Sequence, residues 1–306
     1  MIASVRSLNV RHAICFAHAL NLIVRKSFDD IRSFNDIRSK CRKLVTYFRT
    51  STTAKEGLAQ VQEQMGRPVL KMIIEVDTRW NSTYNMLERV YQLREPVGAA
   101  LASLKTDITP PTALEYEAVQ DALDVLAPFR QATVELSGEK RVSASKVIPL
   151  MKMLNHAVTS KLEGLKSNLT RQLAESLGRR VRETHSSFGI NKCDDIPTLL
   201  DPRFKKLGFL SQGTLQGAIS RLKSECATVI RSCGLHSSSS ISPPVQLPAS
   251  SEAGQSSNSD LWHLLESTVD HSRMSSSATA DATAEVDQYL SEVNLRRSED
   301  PLVYWA

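Results

Sequence analysis

The sequence Asp77-Thr-Arg-Trp-Asn-Ser-Thr-Tyr-Asn-Met-Leu87 places an acid, an arginine and a tryptophan directly before apolar residues at helical spacing. These apolar residues are Tyr84, Leu87 and Tyr91. Their spacing predicts a helix, and Asp77 or Thr78 is the predicted cap of its N-terminus. Arg79 and Trp80 then lie at a helix end where amide groups point outward, which suits a phosphate and an unstacked base. The simpler alternative is a capped helix with a core tryptophan and a surface arginine.

The remaining apolar pattern is mostly helical. The segments with an apolar stripe at helical spacing are 37–48, 114–129, 147–173 and 215–230. Thr53 and Thr112 each begin a Thr-x-x-Glu capping box, and Pro96 should bend or end the helix that contains the Arg-Trp pair. Residues 8–16 alternate weakly and are the candidate for one strand. A helical bundle is the fold that the residues alone predict.

The composition is ordinary for a globular protein, with 41% hydrophobic and 23% charged residues. No apolar run approaches the roughly 20 residues that span a bilayer, and Arg6, Arg11 and His12 interrupt any signal-peptide core. The five cysteines are scattered and form no Cys-x-x-Cys pair. This usage predicts free thiols in a reducing compartment.

The charge is distributed unevenly along the chain. Residues 1–231 hold 35 basic and 23 acidic residues, or +12, whereas residues 232–306 hold 3 and 10, or −7. A basic body favours an anionic partner, for which nucleic acid is the usual candidate. Ordinary surface lysines are the alternative source of the same excess.

A second motif, Cys15-Phe-Ala-His-Ala-Leu-Asn-Leu22, precedes the Arg-Trp segment by about sixty residues. Together the two motifs resemble the hAT transposase superfamily, and most closely its domesticated BED-zinc-finger branch. The further segments that agree in order are Leu136–Lys140 with Val147–Leu150, Leu199–Lys206, and Glu285–Leu290 with Pro301–Trp305. Five ordered matches cover nearly the whole chain.

The resemblance implies a mainly α fold, namely the helical insertion domain of an interrupted RNase-H-like transposase fold with one residual strand near the N-terminus. Residues 1–29 correspond to the last strand and following helix of the RNase-H-like core, and residues 30–231 to the helical insertion. We expect residues 232–283 to be a Ser/Pro-rich, largely disordered linker with one short helix. Residues 284–306 correspond to the truncated start of the family's C-terminal dimerisation region.

The resemblance also bears on catalysis. Transposases of this class use three carboxylates to hold two Mg²⁺ ions, and no residue here matches any of the three. The paired cysteines and histidines of a BED finger are not found either. We therefore expect no enzyme activity, no metal and no cofactor in this chain. Cys15 and His18 could form half of a zinc site, but a buried cysteine beside a hydrogen-bonded histidine is the favoured alternative.

The resemblance assigns candidate sites. Trp80 would stack on a displaced base, Arg79 would hold a phosphate, and His18 would lie beside DNA. The basic residues after Asp201-Pro202 form a further candidate DNA-backbone patch or a solvated face, and they are Arg203, Lys205 and Lys206. The candidate dimerisation residues are Val286, Tyr289, Leu290, Pro301 and Trp305.

The leading functional hypothesis is a non-catalytic, hAT transposase-derived nuclear protein that binds DNA, forms homo- or hetero-dimers and regulates transcription. One alternative is a helical protein-interaction scaffold without DNA binding. Another is a fragment of an active DNA transposase. No membrane partner is expected.

Overall fold

The computed structural model describes residues 15–137, 144–191, 195–237 and 259–306. Within these ranges the regular structure is helical and no strand occurs, so the mainly α prediction is confirmed. Residues 8–14 of the predicted strand lie outside the described residues, and Phe16 begins a helix. None of the described helices is both long and apolar enough to cross a membrane.

The chain divides into two compact units, residues 1–194 and residues 195–306. The helices of the first unit are α1 (Phe16–Asp29), α2 (Arg32–Thr50), α3 (Thr52–Gln64), α4 (Trp80–Gln92), α5 (Arg94–Ser103), α6 (Ala113–Leu136), α7 (Val147–Lys161) and α8 (Asn168–Asn191). Those of the second unit are α9 (Asp195–Leu200), α10 (Gln212–Ser237), α11 (Ser259–Ser291) and α12 (Pro301–Trp305). The unit boundary lies before α9, whereas the sequence placed the end of the helical insertion at residue 231.

Helix α1 occupies a central place in the first unit, because it packs against α2, α4, α6 and α8. Its buried residues recur at helical spacing and are Phe16, Ala19, Leu20, Ile23, Val24, Ser27 and Phe28. They join one hydrophobic core that extends from Phe16 to Val181. The apolar stripe of α1 therefore organises the unit that carries the Arg-Trp segment.

Several helix boundaries follow local sequence signals. Thr112 and Glu115 form the predicted capping box of α6, and α4 ends at Gln92, four residues before Pro96. The predicted capping box at Thr53 is wrong, because Ser51 is the N-cap of α3 and its hydroxyl accepts from the Ala54 amide. Serine caps a helix as well as threonine does, so the N-cap of α3 lies two residues before the predicted one.

Proline 128 lies inside α6 without ending it. A proline has no amide hydrogen, so the carbonyl of Asp124, four residues earlier, loses its helical donor. The Lys161 ammonium donates to that carbonyl at 2.6 Å. The end of α7 thereby supplies the hydrogen bond that α6 lacks.

Residues 67–79 form an extended segment between α3 and α4. It begins with a Schellman turn, in which Gly66 adopts a φ of +67° and the Arg67 amide donates to the Gln62 carbonyl. Arginines of α2 then bind the segment, since Arg49 donates to the Met72 carbonyl at 3.1 Å. These contacts fix the path of the segment that leads to the start of α4.

In the second unit α10 packs against α11. The prediction of a largely disordered region over residues 232–283 is wrong within the described residues, since α10 continues to Ser237 and α11 covers residues 259–291. Among the side chains of α11 that the structure describes, the buried ones recur every fourth position and are Ala278, Ala282, Val286 and Leu290. Small residues at this spacing allow a close helix contact despite the Ser/Thr-rich composition.

Candidate nucleic-acid interface

Asn21 of α1 holds the start of α4. Its Oδ1 accepts from the Trp80 amide at 3.0 Å, and its Nδ2 donates to the Thr78 carbonyl at 3.2 Å. The N-cap of α4 is Arg79, whose side chain makes no capping bond. The predicted cap at Asp77 or Thr78 is therefore wrong, and an asparagine 59 residues away takes that role. We call Asn21, Thr78, Arg79 and Trp80 the α1–α4 junction.

Trp80 belongs to the hydrophobic core. Only 2% of the residue is exposed, and its ring contacts Tyr84 edge to face with centroids 6.5 Å apart. The indole nitrogen is buried without a hydrogen-bond partner among the described residues. The predicted stacking of Trp80 on a displaced base is wrong for this conformation, because no ring face is open to a ligand.

Arg79 points away from the core. The residue is exposed, and its guanidinium has no hydrogen bond or ion pair within the described part of the chain. His18 and Arg25 lie one helical turn before and after Asn21 on α1, on the same helix face. His18 is exposed and Arg25 half-buried. The start of α4 thus has the exposed side chains of Arg79 and His18 and the half-buried Arg25 around it.

The predicted environment of Cys15 and His18 is wrong. Cys15 is exposed, and so is His18, whose ring makes no hydrogen bond to a described residue. Cys15 is the residue before α1 and makes no side-chain cap. The two side chains are therefore available at the surface instead of forming part of the core.

Glu75 is held in a buried ion-pair cluster that joins the extended segment to α2 and α4. Its side chain has no exposed surface, and its two oxygens lie 2.5 Å from Arg38 and 2.7 Å from Arg42. The Thr83 hydroxyl also donates to it. Burial raises the pKa of Glu75, but the hydrogen bonds from Arg38 and its other two partners outweigh burial and lower the pKa.

These carboxylates do not fit a magnesium site. Both oxygens of Glu75 are bound by arginines, and Asp77 lies 2.5 Å from Arg42. In the part of the chain that the structure describes, no group of three or more His, Cys, Asp or Glu side chains converges on a point that could hold a metal. The residues around the junction therefore do not provide the converging acids of two-metal chemistry.

The basic segment after α9 is internal to the second unit. Arg203 binds Asp201 through two nitrogens at 2.9 and 2.6 Å. Lys205 is 1% exposed, and its ammonium donates to the Tyr289 carbonyl at 2.6 Å, where a cation complements the C-terminal end of α11. The predicted DNA contacts at Arg203 and Lys205 are therefore corrected to structural roles, whereas Lys206 is exposed.

The predicted dimerisation residues lie partly inside the second unit. Val286, Leu290 and Pro301 are buried. Tyr289 and Trp305 contact each other with ring centroids 5.1 Å apart, and they bind carbonyls at the end of α9 through the Tyr289 hydroxyl at 3.0 Å and the Trp305 indole at 3.1 Å. The apolar residues left more than half exposed here are Val293, Leu302, Val303 and Trp305.

Asn21, Arg25 and Glu75 were not assigned a role from the sequence. Asn21 stands within the quoted Cys-x-x-His motif, but a cap supplied from another helix has no local signal. The spacing of His18, Asn21 and Arg25 was available and would have identified a common helix face.

Replacing Asn21 with alanine should lower the free energy of unfolding by about 1–2 kcal/mol, because the α4 cap is lost together with the bond to Thr78. Asn21→Asp keeps the acceptor for the Trp80 amide and loses only the donor, so we expect a smaller loss. Urea unfolding followed by circular dichroism measures both. Equal stability of wild type and Asn21→Ala would show that the junction does not depend on this side chain.

Known proteins resemble this chain over most of its length. Residues 13–125 match the family model of the ZBED1 RNase-like helical domain. Zinc finger BED domain-containing protein 4 of Homo sapiens is 28% identical over 299 residues, which cover 95% of this chain and 24% of that protein. Zinc finger BED domain-containing protein 6 of Mus musculus is 28% identical over 335 residues, which cover 99% of this chain and 33% of that protein.

A plant protein is also similar. Zinc finger BED domain-containing protein RICESLEEPER 1 of Oryza sativa subsp. japonica is 23% identical over 291 residues, with coverage of 91% of this chain and 37% of that protein. The chain thus spans between 24% and 37% of the length of these three relatives. Residues 13–125 therefore belong to the class of RNase-like helical domains. Together these similarities support a hAT-derived protein of the BED-zinc-finger type.

Proposed function

We propose that this chain is the non-catalytic, DNA-binding body of a hAT-derived regulator of transcription. The observation that carries the proposal is the α1–α4 junction, where Asn21 fixes a helix start and leaves the Arg79 guanidinium exposed. An exposed arginine held in place at a helix start favours a backbone phosphate. The excess of basic residues in residues 1–231 supports the same partner.

Under this proposal DNA is bound through its backbone without base stacking. Arg79 holds a phosphate, His18 and Arg25 contact the same strand, and Lys206 provides a separate basic residue in the second unit. Trp80 positions Arg79 from inside the core. Such binding carries little sequence information, and recognition of a target sequence would then come from another part of the protein.

We assign no catalytic step and no cofactor to this chain. The support is chemical, since the carboxylates nearest to the junction in sequence, Glu75 and Asp77, are paired with Arg38 and Arg42. A nuclear location follows from the proposed partner and is part of the proposal. Magnesium removal with EDTA should leave the DNA affinity unchanged, whereas loss of binding would contradict a metal-independent contact.

Replacing Arg79 with alanine should weaken duplex DNA binding similarly for all sequences and reduce the slope of log Kd against log salt by about 1, because one phosphate contact is lost. Fluorescence anisotropy of a labelled duplex measures both quantities. The matched control is Lys105→Ala, which removes an exposed cation outside the junction. An unchanged affinity and slope for Arg79→Ala would remove the junction from the proposal.

We further propose that the exposed apolar side chains of α12 form a contact with a second copy or a close relative. Leu302 and Val303 are 61% and 74% exposed on this short helix, and exposed apolar groups that cluster favour association. Val303→Asp should shift sedimentation equilibrium from dimer to monomer. Val134→Asp is the control, since Val134 is 67% exposed in the first unit. A wild-type chain that stays monomeric would contradict self-association.

A further inference from the structure

A cavity of about 260 Å³ lies in the first unit, away from the α1–α4 junction. The end of α2, one face of α3 and the extended segment enclose it, through side chains that include Phe48, Leu58 and Met72. These three residues are 2–4% exposed and form its buried floor, whereas Ala59, Val69 and Leu70 are the more exposed apolar lining residues. The volume is slightly below the range of about 300–1,000 Å³ that is usual for small-molecule sites.

Three cations converge on this cavity from three different elements. Arg49 belongs to α2, Lys55 to α3 and Lys71 to the extended segment, and no acidic residue lines the cavity. Lys55 and Lys71 are exposed and form no ion pair within the described residues. Like charges placed together without a counter-charge favour an anionic ligand.

The walls are held in place by hydrogen bonds. Gln62 is 1% exposed, and its side chain brackets Leu70 by accepting from the Leu70 amide at 2.9 Å and donating to the Leu70 carbonyl at 3.2 Å. Arg49 is oriented by its bond to the Met72 carbonyl at 3.1 Å. A site whose walls are already fixed loses little entropy when it binds a ligand.

We propose that this cavity binds a small organic anion with an apolar body, such as a carboxylate or a phosphate monoester. The apolar body contacts Ala59, Val69 and Leu70, which lie above the buried floor of the cavity. The anionic head pairs with Lys55 and Lys71 at the rim beside the oriented Arg49. This site is independent of the proposed DNA contact and uses none of the residues of the α1–α4 junction.

Isothermal titration calorimetry of the 1–306 chain with four octyl compounds tests the proposal. We expect octanoate and octyl phosphate to bind, and the tighter of the two identifies the preferred head group. 1-Octanol and octyltrimethylammonium share the tail and should bind at least about tenfold more weakly, which corresponds to about 1.4 kcal/mol. Equal affinity for octanol, or no binding by either anion, would overturn the proposal.

Two variants separate charge from volume. Lys71→Glu should weaken octanoate binding by about tenfold or more, whereas Lys43→Glu, an exposed lysine of α2 outside the cavity, should leave it unchanged. Ala59→Trp should fill the space along α3 and abolish binding. Thermal unfolding without ligand checks that each variant is folded. Unchanged octanoate affinity in Lys71→Glu would overturn the assignment of the head group to this rim.

Discussion

Replacing Trp80 with alanine should lower the free energy of unfolding by about 3–5 kcal/mol, because a large core side chain is removed and a cavity remains. Trp80 is 2% exposed and packs against Tyr84 at the start of α4. Chemical unfolding of wild type and variant, followed by circular dichroism to avoid the lost tryptophan signal, measures the difference.

Trp80→Phe is the matched control. Phenylalanine keeps most of the apolar surface and removes an indole nitrogen that has no partner among the described residues, so a smaller loss is expected. If Trp80→Ala kept wild-type stability and instead lost affinity for single-stranded DNA, the ring would be a stacking surface and its assignment to the core would be wrong.

Replacing Glu75 with alanine should destabilise the first unit by about 3 kcal/mol, because Arg38 and Arg42 would keep their charges and only the exposed Asp77 would remain as a counter-charge. The Glu75 side chain is fully buried, and that of Arg38 is only 17% exposed. Urea unfolding measures the loss. Asp77→Ala is the control, since Asp77 is 69% exposed and exposed pairs contribute about 0–1 kcal/mol.

The pH dependence of stability provides a second test of the Glu75 cluster. Because the folded-state pKa of Glu75 is lowered, its contribution is present above the ordinary glutamate pKa and is lost as the pH falls toward the lowered value. The loss of wild-type stability in mild acid should therefore be steeper than that of Glu75→Gln. Two results would contradict a structural role for the cluster. One is that wild type and Glu75→Gln lose stability in parallel as the pH falls, and the other is that Glu75→Ala is as stable as Asp77→Ala.

The sequence predicted the helices where local chemistry decides them. The Thr112 capping box and the apolar stripe behind it are contained within one element, so α6 was found at its correct start. Pro96 was predicted to bend or end the helix of the Arg-Trp pair, and α4 ends at Gln92, although Pro96 itself lies in the first turn of α5. These signals act over a few residues and need no knowledge of the tertiary structure.

The position of Trp80 could not be decided in the same way. An exposed tryptophan at a helix end and a buried one have the same local pattern, and the packing of α1 against α4 makes the difference. The cap supplied by Asn21 lies 59 residues from Trp80 in sequence. Local patterns identified the Cys-x-x-His motif and the Arg-Trp motif. Only the fold shows that Asn21 of the first motif hydrogen-bonds to the second.

The number of basic residues around Lys205 did not predict that this lysine is buried. The composition of residues 259–283 did not predict that they form part of helix α11. The basic cluster around Lys205 could not be distinguished from a solvated face, because its partners are carbonyl groups 84 and 87 residues later. The Ser-rich composition of residues 259–283 predicted disorder, whereas the helical spacing of Ala278 and Ala282 is consistent with the helix. These two residues are 5% and 0% exposed. Helical spacing was the better guide than composition.

The most direct test of the proposed function is a DNA-binding measurement. Fluorescence anisotropy gives the affinity of the wild-type chain for a labelled duplex at a series of salt concentrations. We expect measurable binding at low salt and a linear rise of log Kd with log salt, because each phosphate contact releases condensed counterions. No binding at the lowest salt, or an affinity independent of salt, would contradict the DNA-binding proposal and favour a helical scaffold for protein partners.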